Sequence, residues 1–436
     1  MTIRTRKIIF YLLCLVFIVA GGVTIFYSNG WRFDFETLSI NRLGALYFEV
    51  TPQDALITID KTSIELSSGI LKSGTLVANI FPKEYSVKIT REGYQSWAKE
   101  LYVKPSLVTL VSPVLLLPEK LELGIALAKN VQKFWVGPKY TALLKTNGYL
   151  EINSARVIGN ELIAWSKDGF NAITKSDSSY FATDLSAKNA AVNLSLIFKK
   201  IQKTNGYGTI QKIDFSPINK KYFIVLTDNG LYFLDAEKTV INLIDNQATD
   251  FFISNEKIFF IKKGGIYTFM VPGETINEVI SYSGDIKNLI ISSLDYYLGI
   301  METDGQLSVF DNRSRIIKQI SDNTVSAAFS PDGKRIAFIT GNNEVVKYPL
   351  EQTAKYTEEQ IARFNLGSVE KNIIWHKNSG YIYLKYPGSL YLLEMSDLPP
   401  INMQILDSDT SEFQYNEKEN SIYMLKNGSL YKAVLE

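Results

Sequence analysis

Among 436 residues there is one cysteine, Cys14, and one histidine, His376. A disulfide within the chain is therefore impossible, and no Cys/His zinc site can be assembled. The chain also lacks an excess of either charge: 46 Lys plus Arg stand against 45 Asp plus Glu, a net charge of +1. Such a balance gives no basic field to draw in a polyanion, so nucleic acid is not expected as a partner. Motifs that carry chemistry are missing as well. The stretch "GYGT" at 206–209 has neither the third glycine nor the strand-to-helix setting of a phosphate loop. The acidic run "DSDTSE" at 407–412 alternates oxygen ligands but lacks the EF-hand glycine and its closing Glu, and reads as a solvated loop. His376, in "WHKNSG", falls in a turn between strands, where a solvated residue is expected in place of a catalytic base. No catalytic, cofactor-binding or metal-ligating residue is assigned, no cofactor is expected, and the chain is read as not an enzyme.

What is present is apolar and aromatic. Hydrophobic residues make up 46% of the chain, with 25 Tyr and 24 Phe, enough for a sizeable core and suited to pleated, half-buried surfaces. From Ile8 to Tyr27 the sequence "IIFYLLCLVFIVAGGVTIFY" carries no charge. Twenty helical residues at ~1.5 Å each span about 30 Å, the thickness of the hydrocarbon layer. Arg4, Arg6 and Lys7 precede it, while Ser28-Asn29-Gly30-Trp31 follow, so the positive-inside rule leaves residues 1–7 as a cytoplasmic tail. The run exceeds a usual signal-peptide core and no A-x-A site follows, which predicts an uncleaved signal anchor over 8–27. Cys14 sits mid-span behind Leu12 and Leu13, where a lipobox would need a small residue; it reads as a small apolar membrane residue. Tyr27 and Trp31 fall where an interfacial aromatic belt would lie. A stem, 28–42, leads outward.

From 43 to 119 short alternating runs predict strands: "GALYFEV", "ALITID", "TLVANI", "EYSVKIT", "SWAKELYVK" and "VTLVSPVLLL", with turns at Thr51-Pro52, Asp60-Lys61, Phe81-Pro82 and Arg91-Glu92-Gly93. A small two-layer antiparallel sandwich fits them. The pairing of "TPQDALITID" with "FPKEYSVKITREGYQSWAKELYV" resembles a PEGA domain, a module of bacterial surface proteins. Pro52 and Ala55 match the motif that names the family, whereas Gln53 and Asp54 replace its Glu and Gly, and the Gly after Pro82 and a Thr-Pro before the middle strand are missing. Gly93 is expected to supply a positive φ, and Tyr94 with Trp97 to cover an end of the core as packing residues.

Beyond residue 120 the chain repeats. "AAFSPDGKRIAFIT" at 327–340 has relatives in "IDFSPINKKYFIVL" at 213–226, "NIIWHKNSGYIYLK" at 372–385 and "EFQYNEKENSIYML" at 412–425, with weaker copies starting near 132, 162, 250 and 288. The last apolar residues before the turns are Trp135, Trp165, Phe215, Ile253, Ile291, Phe329, Trp375 and Tyr415, at gaps of 30, 50, 38, 38, 38, 46 and 40. A third strand follows in "DNGLYFLD", "KGGIYTFM", "DGQLSVFD", "PGSLYLLE" and "NGSLYKAV", introduced by Gly or Asn that tolerates positive φ. A period near 40 with three clear strands and a weaker fourth is the signature of propeller blades, eight of them or, given the uneven first gaps, seven. The last copy ends on its third strand, so "KLELGIALAK", 120–129, is expected to lend the fourth and close the ring.

The Phe-Ser-Pro-Asp-Gly-Lys hairpin resembles the TolB-like propeller repeat over roughly residues 130–436, a repeat that also occurs in propellers of prolyl-oligopeptidase-type peptidases. Such peptidases need a hydrolase domain with a G-x-S-x-G elbow, which does not occur here, and no extra domain is expected after the last blade. "WSKDG" at 165–169 resembles the Asp-box turn of sialidases, a structural element in those enzymes. Two helix-prone or irregular excursions, 348–366 and about 186–210, are the expected recognition loops. The chain thus reads as an all-β protein: a transmembrane helix, a PEGA-like sandwich at 43–119 and a propeller at 120–436. The expected role is an extracytoplasmic binding or scaffolding protein at the cell envelope, with protein or cell-wall polysaccharide as partner. Its rivals are a glycan-processing hydrolase or lyase with carboxylates in the channel, and a structural spacer without ligand.

Overall fold

A computed structural model of the chain describes residues 3–35, 38–65, 74–186, 190–202, 206–254, 256–271, 275–293, 295–350, 362–365, 367, 370, 372–396 and 400–435. Most of the expected excursion at 348–366 lies outside the described residues. The chain divides into two compact units, Met1–Leu121 with Glu394–Gln404, and Glu122–Leu393 with Ile405–Leu435.

The first unit opens with helix α1, Ile3–Ser28, long and apolar enough to cross a membrane, with none of its residues buried. Two short strands follow, β1 (Trp31–Asp34) and β2 (Ser39–Arg42), paired antiparallel with Phe33 opposite Ile40. The sandwich then uses β3 (Gly44–Thr51), β4 (Leu56–Ile59), β5 (Thr62–Glu65), β6 (Thr75–Ile80), β7 (Glu84–Thr90), β8 (Trp97–Tyr102) and β9 (Val108–Leu115). One sheet runs β6-β3-β9 and the other β5-β4-β7-β8. All pairings are antiparallel except β3 with β9, which is parallel. Period-two alternation explains the layers. Leu46, Phe48 and Val50 of β3 face Ile57, Ile59, Val87, Ile89, Trp97 and Leu101 in one buried cluster, while the residues between them face outward. Gly93 has φ +76°, as the turn requires. Trp97 is fully packed, and Tyr94 lies against the cluster with Arg91 stacked over its ring at 4.3 Å, so the two aromatics serve packing.

At the inward position between Trp97 and Leu101 stands a lysine. Lys99 is buried, and its Nζ meets Glu394 Oε1 at 2.9 Å within the same unit. Glu394 Oε2 accepts from Asn402 Nδ2 at 2.8 Å, and Oε1 lies 3.4 Å from Trp97 Nε1. A charge inside a β-sandwich is tolerable only with such a partner set.

The described residues of the second unit form a β-propeller of eight sheets, at 131–157, 161–193, 210–245, 248–282, 286–321, 324–365, 374–407 and 412–434, except that 394–404 within the seventh range belong to the first unit. Seven have four strands in sequential order and the eighth has three. First strands of neighbouring blades meet around the ring, the first with the eighth, the second with the third, the fifth with the sixth, and the sixth with the seventh. Each of the eight apolar anchors from Trp135 to Tyr415 lies on the innermost strand of its blade. In the third to sixth blades a β-bulge recurs at Gln211, Thr249, Lys287 and Val325, spaced 38 residues apart. Apolar faces are buried between blades: Leu226 and Ile224 with Phe251 and Phe260, for example, or Tyr297 and Met301 with Ile336 and Phe338. Each such side chain contributes about 1.5–3 kcal/mol by leaving water.

The uneven first gaps have a local cause. The outer strands of the first blade are three residues long, and a helix, α2 (Leu194–Gln202), is inserted after the second blade, with Leu194 and Phe198 in the core between blades two and three. Eight is therefore the blade number. At the seam the start of the unit meets its end, though by less than the sequence led one to expect. Leu127 N donates to Leu430 O (2.8 Å) and Leu430 N to Ala128 O (2.9 Å), an isolated antiparallel bridge to the third strand of the eighth blade; residues 120–129 form no strand of their own, so they tie the seam at one point and the expected fourth strand is not formed. Gln414 clasps the seam from inside, donating to Phe134 O at 2.7 Å and accepting from Val136 N at 2.8 Å.

Candidate functional site

In an antiparallel blade the turns joining strands one to two and three to four emerge on the same face. On that face the 1–2 turns of the second, fifth and sixth blades share one bond, from a backbone amide to the serine hydroxyl five residues earlier. In the sixth blade Ser330 Oγ donates to Asp332 Oδ1 (2.5 Å) and accepts from Arg335 N (3.0 Å), Gly333 N closes on Ser330 O (2.9 Å), and Gly333 has φ +67°. The second blade repeats it with Ser166, Asp168, Asn171 and Gly169. In the fifth, Tyr297 N reaches Ser292 Oγ at 2.9 Å. Burial alone would raise the Asp168 and Asp332 carboxyls; hydrogen bonds from the serine hydroxyls, backbone amides and nearby Lys220 or Arg335 outweigh it and hold both below the usual range.

In the seventh blade His376 takes the serine's place. It is not solvated, as its turn position had predicted, but 2% exposed. Its Nδ1 accepts from Asn378 N at 3.2 Å, two residues on, where the serine oxygens accept from the amide five residues on, and the ring stacks on Tyr415 with centroids 5.6 Å apart. Burial pushes its pKa down. Sequence reasoning missed this because a turn was taken to be wet, whereas this turn folds beneath its neighbour; the aligned serines at 166, 292 and 330 were the available signal.

Successive turns are tied to one another. Lys220 Nζ meets Asp168 Oδ2 (3.3 Å), Ser254 Oγ donates to Asp295 Oδ1 (2.8 Å), and Ser293 Oγ to Pro331 O (3.1 Å). Asp332 N donates to Ser379 Oγ (3.0 Å) and Lys377 N to Tyr415 OH (3.3 Å). These links run from blade two to three and from blade four through to eight, and they stiffen the face.

Two clefts open at the outer edge of the same face. One, of about 430 Å³, lies between blades five and six, with Val309, Ile316, Ile320, Tyr348 and Leu350 among its walls. Ile316 is 63% exposed. At its mouth Arg313 bonds the Tyr297 hydroxyl (2.5 Å) and Asp311, and Lys318 lies over the Tyr348 ring at 5.4 Å. The other, of about 380 Å³, lies between blades three and four, walled by Phe233, Val240, Leu243, Phe269 and Ile276. Neither was legible in the sequence, because each is made by outer strands of different blades.

The innermost strands carry both charges. Lys212 Nζ pairs with Asp250 Oδ1 (2.8 Å) and Phe251 O (2.7 Å) across blades three and four, and lies 4.4 Å from the Phe252 ring centre. Asp214, on the same strand as Lys212, is pushed up to about 6 by burial, against the pull of the Phe215 amide and Lys212. Asp407 in the acidic run accepts from Lys426 Nζ and Thr410 Oγ1, both at 2.6 Å, which occupies it structurally. Among the described residues no His, Cys, Asp and Glu group could hold a metal ion.

No family model and no curated protein matches the chain. Solved structures similar to it are β-propellers: the C-terminal WD40 domain of Sif2, at 14% identity and TM-score 0.49, covering 73% of this chain and 99% of that one; and the β-propeller domain of Cps50 (Swd1) from Myceliophteria thermophila, at 11% and 0.39, covering 71% and 100%. PorZ, a bacterial surface component of the type-IX secretion system of Porphyromonas gingivalis, is similar at 15% and 0.38, over 69% of this chain and 42% of its own.

Proposed function

We propose that this protein is a single-pass membrane protein whose propeller binds another protein at the cell envelope and which is not itself an enzyme. Residues 8–27 anchor it with the N-terminus in the cytoplasm; a PEGA-like module, 43–119, and a TolB-like propeller, 120–436, face outward. Anchoring confines the propeller to a surface and raises its effective concentration toward partners held there. The observation that carries the reading is the 430 Å³ cleft beside a stiffened turn face: apolar walls rimmed by Arg313 and Lys318 suit an apolar side chain flanked by acidic groups on a protein. A mere spacer needs no such exposed apolar recess. A photo-crosslinker placed at Ile316 in intact cells should capture a discrete protein, and the same probe at Glu278 on an outermost strand should not. Equal capture from both positions, or none from either, would remove the cleft as the binding site.

A second reading, a glycan-processing hydrolase or lyase, has Asp214 in its favour, since a carboxyl near 6 suits a general acid. Its neighbour Asp250 is held by Lys212. Release of reducing ends from purified cell-wall glycan, abolished by Asp214→Asn, would establish the enzyme over the binder.

A further inference from the structure

The β1–β2 hairpin is a two-stranded sheet of its own, and such a sheet is marginal in water unless something covers its apolar face. Alternation and register put Trp31, Phe33, Ile40 and Arg42 on one face, and Arg32, Asp34, Ser39 and Asn41 on the other. The first face is left uncovered: Phe33 is 45% and Ile40 50% exposed, and beyond the strands Phe35 and Leu38 reach 83% and 76%. Phe33 and Phe35 meet edge to face with centroids 5.0 Å apart, so the apolar surface is continuous.

Its base is fixed to the end of α1. Phe26 stacks on Trp31 at 5.4 Å and 17°, the Arg32 guanidinium lies 3.2 Å from the Tyr27 ring centre and donates to Tyr27 O at 2.6 Å, and Arg42 covers the other part of Trp31 at 4.9 Å. Leu43 N donates to Gly30 O at 3.0 Å, closing the base. The apolar face therefore begins where an uncharged run of twenty residues ends, and it shares the stacking contact that faces the helix.

We infer that this hairpin is seated in the membrane interface, with Phe33, Phe35, Leu38 and Ile40 in the boundary between headgroups and acyl chains. This rests on the reading of α1 as a membrane span. The occupant is a lipid surface: the apolar area is contiguous with the helix's own, and the segment's two arginines are matched by Asp34 and Glu36, so no polyanion is called for. Aromatic side chains at that depth, held by stacked arginines, are what an interface stabilises. Held at its tip as well as at the helix, the stem cannot swivel freely, and the residues that follow leave the membrane in a set direction.

Full-length protein with Cys14→Ser, carrying single cysteines labelled with an environment-sensitive fluorophore, is reconstituted in phosphatidylcholine vesicles at high lipid-to-protein ratio. Labels at Phe35→Cys and Ile40→Cys should be quenched at least twofold more by shallow nitroxide lipids than by aqueous iodide, with Asn41→Cys showing the reverse. A label at Ile18→Cys tests the span itself and should respond to deep nitroxides. Deep quenching at 18 with aqueous behaviour at 35 and 40 would overturn the hairpin inference alone. Aqueous behaviour at all of them would overturn the span. Energy transfer between labelled copies that persists on lipid dilution would overturn the inference in favour of a second copy as the occupant.

Discussion

Asp214 and Lys99 are single residues whose burial sets what a substitution there would cost. Asp214 is raised to about 6 from an ordinary 3.8 because burial disfavours its anion. An acid with a raised folded pKa binds its proton where the unfolded chain has lost it, so its contribution is complete below about pH 4 and is lost as pH rises through 6. Asp214→Asn keeps the acceptor for Phe215 N and removes that loss: chemical denaturation at pH 7 should show the variant more stable by about 2–3 kcal/mol, with the gain vanishing near pH 4. Lys99 is buried against a carboxylate buried with it, at 2.9 Å. Lys99→Met leaves the Glu394 charge without its cation and should cost about 3–5 kcal/mol, seen as faster hydrogen exchange in β8; adding Glu394→Gln, which removes that charge and keeps one carbonyl acceptor for Asn402 or Trp97, should recover part of it. Neither effect could be read from the chain. "SWAKELYVK" announces a strand and even marks position 99 as inward, but the partner stands at 394, and sequence spacing carries no information about a contact made by the fold.

Elements were more legible, for a physical reason: turn chemistry and alternation are local. The turn at 330–335 needs a hydroxyl to cap an amide, a carboxylate to hold the hydroxyl and a glycine at positive φ, and all three appear within four residues as "SPDG". Copies that replace members of the set, such as "HKNSG", still form the turn with substitute groups, which is why degenerate repeats aligned at all. Ser330→Ala should cost about 1–2 kcal/mol by orphaning Arg335 N, and it should also raise the Asp332 pKa, since the serine hydroxyl is one of the groups that outweigh burial there. Carboxyl titration by NMR separates the two effects: a stability loss with an unmoved Asp332 would mean the hydroxyl acts only as filler. Elements escaped notice where local signals were thin. β5, four residues long and directly after the Asp60-Lys61 turn, and the β1–β2 pair carry mixed polar residues with little run length, and α2 was foreseen only as part of an excursion at about 186–210.

At the scale of the whole molecule, the ring is the step at which local repeats become one body, and its seam is where that step can be tested. A closed propeller has no unpaired blade, because each apolar face is covered by the next; the three-stranded eighth blade is also bridged by a segment from the start of the unit. Leu127 is exposed by 58%, so replacing its side chain should matter little, whereas its amide makes one of the two bonds that seat that segment. Leu127→Pro removes the donor and should cost about 2–3 kcal/mol, while Leu127→Ser should stay within about 0.5. Gln414→Ala breaks the inner clasp on Phe134 and Val136, and because both changes open one seam, their combination should deviate from additivity. The site of the damage is the sharper measure. Exchange should quicken first in the strands 141–145 and 421–426 beside the seam, with 257–262 on the opposite side of the ring unchanged until global unfolding. A uniform acceleration in all three would show that the ring yields as one unit and that the bridge at the seam is no more critical than any other contact.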